Sequence, residues 1–209
     1  MIRIIIADDH IIVRKGLRQI LLEEFPSAMI EEAGDSDELL KKIMTAEFDI
    51  VISDLSMPGR SGLESLQQIK QYYPKLPVLI LSMHSEDHYA LRVLKAGASG
   101  YLNKDSAPAE LVQAVHRILL GKKYITATIA EKLASNFDKN TDKQSHELLS
   151  DREFEVLKLI AAGKSVSDIA ALLSLSVTTV STYRARILVK MNMNTNADLT
   201  LYAIENKLI

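Results

Sequence analysis

Short apolar runs alternate with amphipathic stretches over the first part of the chain. Ile2–Ala7, the weaker Met29–Ala33, the run Ile50-Val51-Ile52, Pro77–Ser82 and Gly100–Asn103 read as strands. Between them, apolar positions recur at helical spacing. Val13, Leu17, Ile20 and Leu21 mark a helix over Ile11–Glu24, and Leu39, Leu40 and Ile43 mark one over Asp37–Met44. Further helices are predicted over about Gly62–Tyr72, over Asp87–Ala96 with Gly97 just past its end, and over Pro108–Leu120 with Pro near its start. Strands alternating with helices in this way predict a parallel sheet covered on both faces, with right-handed crossovers. The pattern alone leaves the strand order open.

After Lys123 the texture changes. Ile125–Phe137 can form a short amphipathic helix, and Asp138–Glu147 is polar throughout and reads as a tether. Beyond it, hydroxyl residues precede acids by three positions at Ser150-x-x-Glu153, Ser165-x-x-Asp168 and Thr195-x-x-Asp198. The first is a capping box and the others are its Asp analogues; Ser176 is a fourth N-cap candidate. Four caps predict four helices, over about 151–162, 166–173, 177–191 and 196–206. Val156, Leu157, Ile160, Ile169, Leu172, Leu173, Val180, Ile187, Met191, Leu199 and Ala203 supply one small core. The few residues between the second and third helices suit a helix-turn-helix. The chain shows no internal repeat.

Composition changes this picture little. The 209 residues carry a formal net charge of −2, and 47% are hydrophobic, enough for ordinary cores. Residues 148–209 hold 7 Lys+Arg against 6 Asp+Glu, so any nucleic-acid binding there must come from a local patch. The chain contains no cysteine, which excludes disulfides and thiolate metal sites. No apolar run is long enough to span a bilayer, and a cytoplasmic protein without membrane contact is expected.

Chemistry collects where the predicted strands end. Asp8 and Asp9 follow the first, Asp54 the third, Ser82 ends the fourth, and Lys104 follows the fifth. In a parallel sheet all these ends lie on one edge, where open α/β folds place their sites. Grouped carboxylates repel unless a cation joins them, and an all-oxygen set suits Mg²⁺. A carboxylate such as Asp54 can form an acyl phosphate if a metal and a Lys neutralise the phosphoryl oxygens. Each residue taken alone also fits a helix cap or a turn.

The third helix of the C-terminal part is a candidate reader of DNA. Its predicted buried face holds Val180, Ile187 and Met191, with Tyr183 at the margin. The other side offers Thr178, Thr179, Ser181, Thr182 and Ala185 for base edges, and Arg184, Arg186 and Lys190 for phosphates. Periodicity alone fits a solvated basic face equally well.

These residues carry a resemblance. Asp8-Asp9, Asp54 with Met57-Pro58-Gly59, Ser82, Gly97-Ala98, Tyr101 and Lys104 resemble the receiver domain of bacterial two-component response regulators. Leu149–Leu157, Ala162-Gly163, Asp168-Ile169-Ala170, Ser176-x-x-Thr179-Val180 and Ile187-x-x-Lys190-Met191 resemble the LuxR-type helix-turn-helix. Together they look like the NarL/FixJ class, nearest its GacA/UvrY branch. The resemblance implies an α/β architecture, a CheY-like doubly wound five-stranded parallel sheet of order 2-1-3-4-5, followed by an all-α four-helix helix-turn-helix domain. It implies a receiver over 1–122, a linker over 123–147 and a DNA-binding domain over 148–209.

The resemblance also implies a transcription regulator controlled by phosphorylation of Asp54, with no enzymatic role beyond its own phosphoryl transfer and dephosphorylation. Asp9, Asp54 and the Ser56 backbone carbonyl would hold Mg²⁺ directly and Asp8 through water. Lys104 would pair with the phosphoryl group, and Ser82 and Tyr101 would form the switch pair. Implied partners are a sensor histidine kinase, promoter half-sites in double-stranded DNA, a second copy of the chain on activation, and RNA polymerase. Some positions depart from the commonest pattern: Ser82 for Thr, Asp105 for Pro, Ser167-Asp168 for Lys-Glu and Tyr183 for His. Ser56 and His84 stand where side chains tune hydrolysis of the acyl phosphate.

Two other classes compete. One is a Mg²⁺-dependent phosphatase with an aspartyl intermediate, against which Ser56 stands where a second acid is usual. The other is an interaction module whose helical part binds protein or RNA.

Overall fold

A computed structural model of the chain describes residues 1–57, 62–83, 86–131, 145–206 and 208–209. Pro58 and Gly59 of the expected turn, His84, and most of the expected tether lie outside the described residues. The chain divides into two compact units, Met1–Asp138 and Lys139–Ile209.

The first unit alternates as the pattern predicts: β1 (Arg3–Ala7), α1 (Ile11–Glu24), β2 (Met29–Ala33), α2 (Ser36–Thr45), β3 (Ile50–Asp54), α3 (Gly62–Tyr72), β4 (Val78–Ser82), α4 (Glu86–Lys95), β5 (Gly100–Asn103) and α5 (Ala107–Leu119). All strand pairs are parallel, in the order β2-β1-β3-β4-β5. Burial follows that order. Every residue of the central strands β3 and β4 is buried, whereas edge strand β2 buries only its last residue, Ala33. That difference is why β3 and β4 read as continuous apolar runs and β2 reads weakly. Ile4, Ile6, Ile50, Ile52, Leu79, Leu81 and Leu102 project from the sheet into one cluster with Leu17 and Leu21 of α1 and Leu111, Val115 and Ile118 of α5.

Residue 124 belongs to this unit. The Tyr124 amide donates to the Ser99 carbonyl at 2.8 Å, and Tyr124 forms a parallel bridge with Gly100 beside β5. Its ring is buried in the same cluster, and its hydroxyl donates to Glu110 at 2.6 Å. Residues 127–131 are helical, with Ile129 buried. This aromatic anchor ties the start of the segment expected as a linker, 123–147, to the sheet.

Gly62 supports the loop after β3. A Cβ there would lie 2.4 Å from the Asp54 carbonyl oxygen and 2.7 Å from Leu55 Cα, both backbone atoms. Gly62→Ala is therefore expected to lower the first unit's melting midpoint, since overpacking costs about 1–3 kcal/mol. Scanning calorimetry checks this; an unchanged midpoint would show that the loop can give way.

The second unit opens with a 3-10 turn, Ser145–Leu148, where the expected tether was to be irregular. His146 is buried there, its Nδ1 2.9 Å from the Tyr202 hydroxyl. Then come α6 (Asp151–Ala161), α7 (Val166–Leu172), α8 (Val177–Met191) and α9 (Asn196–Glu205). Ser150, Ser165 and Thr195 each form a capping box, and the Ser176 side chain accepts from the Thr179 amide. Gly163 adopts φ +79° just past α6, the left-handed conformation that stops a helix. Ser174, at φ 54°, makes the turn between α7 and α8, which meet at 113°. Phe154, Val156, Leu157, Ile169, Val180, Ile187, Leu199 and Ala203 form the core residues. Leu172, expected among them, is 60% exposed. Ile169 and Ala170 set the buried face of α7, and Leu172 lies about 200° around the helix from Ala170.

Candidate phosphoacceptor site and reader helix

Strand register builds the site. Ala7 pairs with Ser53, so the next residues, Asp8 and Asp54, emerge side by side. Asp54 pairs with Leu81 and Ser82 with Asn103, so Ser82 and Lys104 emerge next to them. The Lys104 amide donates to the Ser82 carbonyl at 2.9 Å, which fixes the start of the β5–α5 loop.

Lys104 Nζ lies 2.7 Å from Asp8 Oδ2 and 2.8 Å from Asp54 Oδ2. All three side chains are almost fully buried. The ammonium thus sits between two carboxylates that would otherwise repel. Burial pulls the Lys104 ammonium down, but Asp54 and Asp8 outweigh it, and its pKa is raised. Burial pushes the Asp54 carboxyl above the usual carboxylate range, against the pull of Lys104. The Ser56 amide donates to Asp54 Oδ1 at 3.2 Å and holds the carboxylate's second oxygen. Ser82 and Tyr101 are both fully buried, and the register pairs Tyr101 with Ile80, on the same face of the sheet as Ser82.

The acidic residues fit a cation. Asp8, Asp9, His10 and Asp54 each bring one ligand atom into a group whose members all lie within 4.8 Å of one another. Asp8 Oδ2 and Asp9 Oδ1 are buried and lack a well-aligned hydrogen bond, although Lys104 and His10 stand close by. Carboxylate oxygens in such a cluster are ligands for a hard divalent ion. His10 is absent from the sequence reading of the site. Its Nδ1 lies 2.8 Å from Asp9 Oδ1, and its amide donates to Asp8 Oδ1 at 2.8 Å. Its place directly after the acid pair was the available signal.

In the second unit, α8 exposes Thr178, Ser181, Thr182, Ala185, Arg186 and Lys190, while Thr179 and Arg184 are half-buried. Val180, Ile187 and Met191 are buried and Tyr183 is at the margin, as the periodicity predicts. Two of the expected cations are engaged within the protein. Arg184 Nε donates to Asn196 Oδ1 at 2.6 Å, and Lys190 Nζ donates to Glu153 Oε2 at 2.6 Å. Neither contact has a local sequence signal, since the partners lie 12 and 37 residues away. The Thr182 hydroxyl donates back to the Thr178 carbonyl at 2.9 Å.

Comparison with known proteins agrees with both units. Residues 4–116 match the family described as response regulator receiver domain, and residues 147–203 match the one described as bacterial regulatory proteins, luxR family. The chain is 34% identical to response regulator GacA of Pseudomonas viridiflava, covering all of this chain and 98% of that protein. It is also 34% identical to response regulator UvrY of Escherichia coli K12, covering all of this chain and 96% of that one. Among solved structures, RcsB from Salmonella enterica serovar Typhimurium, bound to promoter rprA in the presence of the phosphomimetic BeF3−, superposes with a TM-score of 0.64. It is 29% identical over 97% of this chain and 98% of that one. No single described helix is long and apolar enough to cross a membrane. With a receiver unit that ends its strands in Asp8, Asp54 and Lys104 and a capped helix-turn-helix behind it, the chain belongs to the two-component response regulators that carry a LuxR-type DNA-binding domain.

Proposed function

We propose that a sensor histidine kinase in the cytoplasm phosphorylates Asp54, and that this event controls binding of α8 to promoter DNA. The observation that carries the reading is the buried Asp8–Lys104–Asp54 arrangement at one sheet edge. An Asp54 carboxylate oxygen attacks the phosphorus of a phosphohistidine. The new P–O bond forms as the P–N bond breaks, and the leaving imidazole nitrogen takes up a proton. Lys104 moves its ammonium from the Asp54 oxygen to the phosphoryl oxygens, offsetting the charge that arrives. The Ser82 hydroxyl donates to the same group. The Tyr101 ring already lies inside, on the same sheet face as Ser82. Asp9, Asp54 and the Ser56 carbonyl would hold Mg²⁺, with Asp8 acting through water. When bound, the ion neutralises phosphoryl oxygens. Water attack on the acyl phosphate would reset the site.

Phosphorylation shifts the receiver towards a dimer, which presents two α8 helices to paired half-sites. RcsB, solved on promoter rprA in the presence of the phosphomimetic BeF3− and also as two dimers bound to two parallel DNAs, supports this reading. RNA polymerase would be met at the promoter. The test is incubation with acetyl phosphate and Mg²⁺, then peptide mass spectrometry. One phosphoryl group is expected on the peptide holding Asp54. Label elsewhere would remove Asp54 as the phosphoacceptor, and steady turnover of a phosphate ester would favour the phosphatase reading.

Arg186, exposed on α8, is the cation best placed for a phosphate. Arg186→Ala is expected to weaken binding to duplexes of any sequence and to reduce the slope of log K against log salt by about 0.9. Fluorescence anisotropy across a salt series checks it. An unchanged slope removes Arg186 as a phosphate contact.

A further inference from the structure

We propose that Lys190 is a positioning residue, a latch that sets the pose of the reader helix α8 through Glu153 of α6, and that it makes no contact with DNA phosphate. The proposal rests on the DNA-binding reading of α8. Lys190 lies in the last turn of α8, next to buried Met191. Its ammonium donates to Glu153 Oε2 at 2.6 Å. The same oxygen accepts the Ser150 amide at 2.7 Å, closing the capping box of α6. The Glu153 side chain is 3% exposed and that of Lys190 is 41% exposed.

The ion pair therefore joins a nearly buried carboxylate to a partly solvated cation. Burial pushes the Glu153 carboxyl up, but Lys190 and Ser150 outweigh it, and its pKa is lowered. The other anchors of α8 are the apolar Val180, Ile187 and Met191, which are non-directional, and the Arg184 hydrogen bond to Asn196 of α9, which does not reach α6. The apolar residues press the helix onto the core, and Lys190 supplies its directional tie to α6. A charge-assisted hydrogen bond fixes direction as well as distance. An ammonium drawn to that carboxylate is less available to a phosphate. Losing it leaves the nearly buried Glu153 carboxylate with Ser150 alone to offset its charge, which is costly.

The variants Lys190→Met, Glu153→Gln, their double and Lys190→Arg distinguish the two roles. Full-length protein is titrated against a random-sequence duplex across a salt series. The latch predicts that Lys190→Met and Glu153→Gln each weaken binding by a similar factor, about tenfold, as for one coupled pair. The double variant adds little, the salt slope stays at its wild-type value, and Lys190→Arg retains binding. A phosphate contact predicts the opposite pattern: Lys190→Met lowers the slope by about 0.9, while Glu153→Gln releases the ammonium and leaves affinity equal or higher. That outcome overturns the proposal. Amide exchange on DNA-free protein gives an independent readout. Faster exchange in the first turns of α8 in both single variants supports the latch even if no variant binds DNA. Unchanged exchange there overturns it.

Discussion

Asp54→Asn is expected to abolish phosphoryl incorporation and to raise the thermal midpoint of the first unit. The loss of label follows from the missing carboxylate nucleophile. The gain in stability follows from burial. Asp54 is 3% exposed, and burial holds its carboxyl above the unfolded value. A group with a raised folded pKa contributes stability below the unfolded pKa and loses that contribution as pH rises through the folded one. At neutral pH the ionised Asp54 is therefore a net cost, even with Lys104 at 2.8 Å. Asparagine keeps the shape and removes the charge. Lys104 is not orphaned, because Asp8 Oδ2 remains 2.7 Å away.

A shift of a few degrees is the expected scale, since about 1 kcal/mol moves a domain by roughly 4–8 °C at 60–100 residues and by roughly 2–4 °C at 150–250, and the first unit lies between. The measurement is calorimetry in EDTA at several pH values, with the variant's advantage growing as pH rises through the folded pKa of Asp54. A lower midpoint for Asp54→Asn at neutral pH would mean that the Lys104 pair, and not burial, dominates. Added Mg²⁺ should then stabilise the wild type more than the variant, because a ligand that binds only the folded state stabilises by mass action.

A receiver cut after Lys122 is expected to be much less stable than one cut after Glu131. The cut removes Tyr124, whose ring is 6% exposed in the sheet cluster and whose hydroxyl meets Glu110 at 2.6 Å. Losing a buried aromatic costs about 3–5 kcal/mol. The shorter piece also loses the amide bond to Ser99 and exposes the edge of β5 at Gly100. Tyr124→Ala in the full chain isolates the side chain. It should lower the first unit's transition by many degrees and leave that of Lys139–Ile209 in place. Equal midpoints for the two truncations would show that the aromatic anchor carries no weight.

Most of the receiver is readable from its residues because local and global preferences agree. Ile50-Val51-Ile52 can only be a doubly covered strand, and the acids that follow strands must share an edge once the strands are parallel. The four caps are equally legible, since each is a hydroxyl and its amide partner three residues apart. What stays hidden depends on distant partners. Tyr124 looks like a residue of the linker until β5 is placed beside it. Lys190 looks like any exposed cation until α6 brings Glu153 to it. Leu172 looks like core because its spacing from Ile169 is helical, yet a seven-residue helix buries too narrow a stripe to include it. His10 shows in the sequence as a neighbour of the acids, but which way its ring turns is a matter of three-dimensional placement.

The caps of the second unit have a kinetic consequence. Each of its four helices is started by a contact spanning three residues. The first unit instead needs every strand to wait for a crossover helix before it can pair. Chains rich in local contacts fold in microseconds to milliseconds, and mixed α/β domains take longer. When the whole chain refolds from the unfolded state, α8 is therefore expected to be in place before the sheet edge that gathers Asp8, Asp54 and Lys104. Stopped-flow refolding should then show a fast helical phase from Lys139–Ile209 ahead of the phase that buries Asp54.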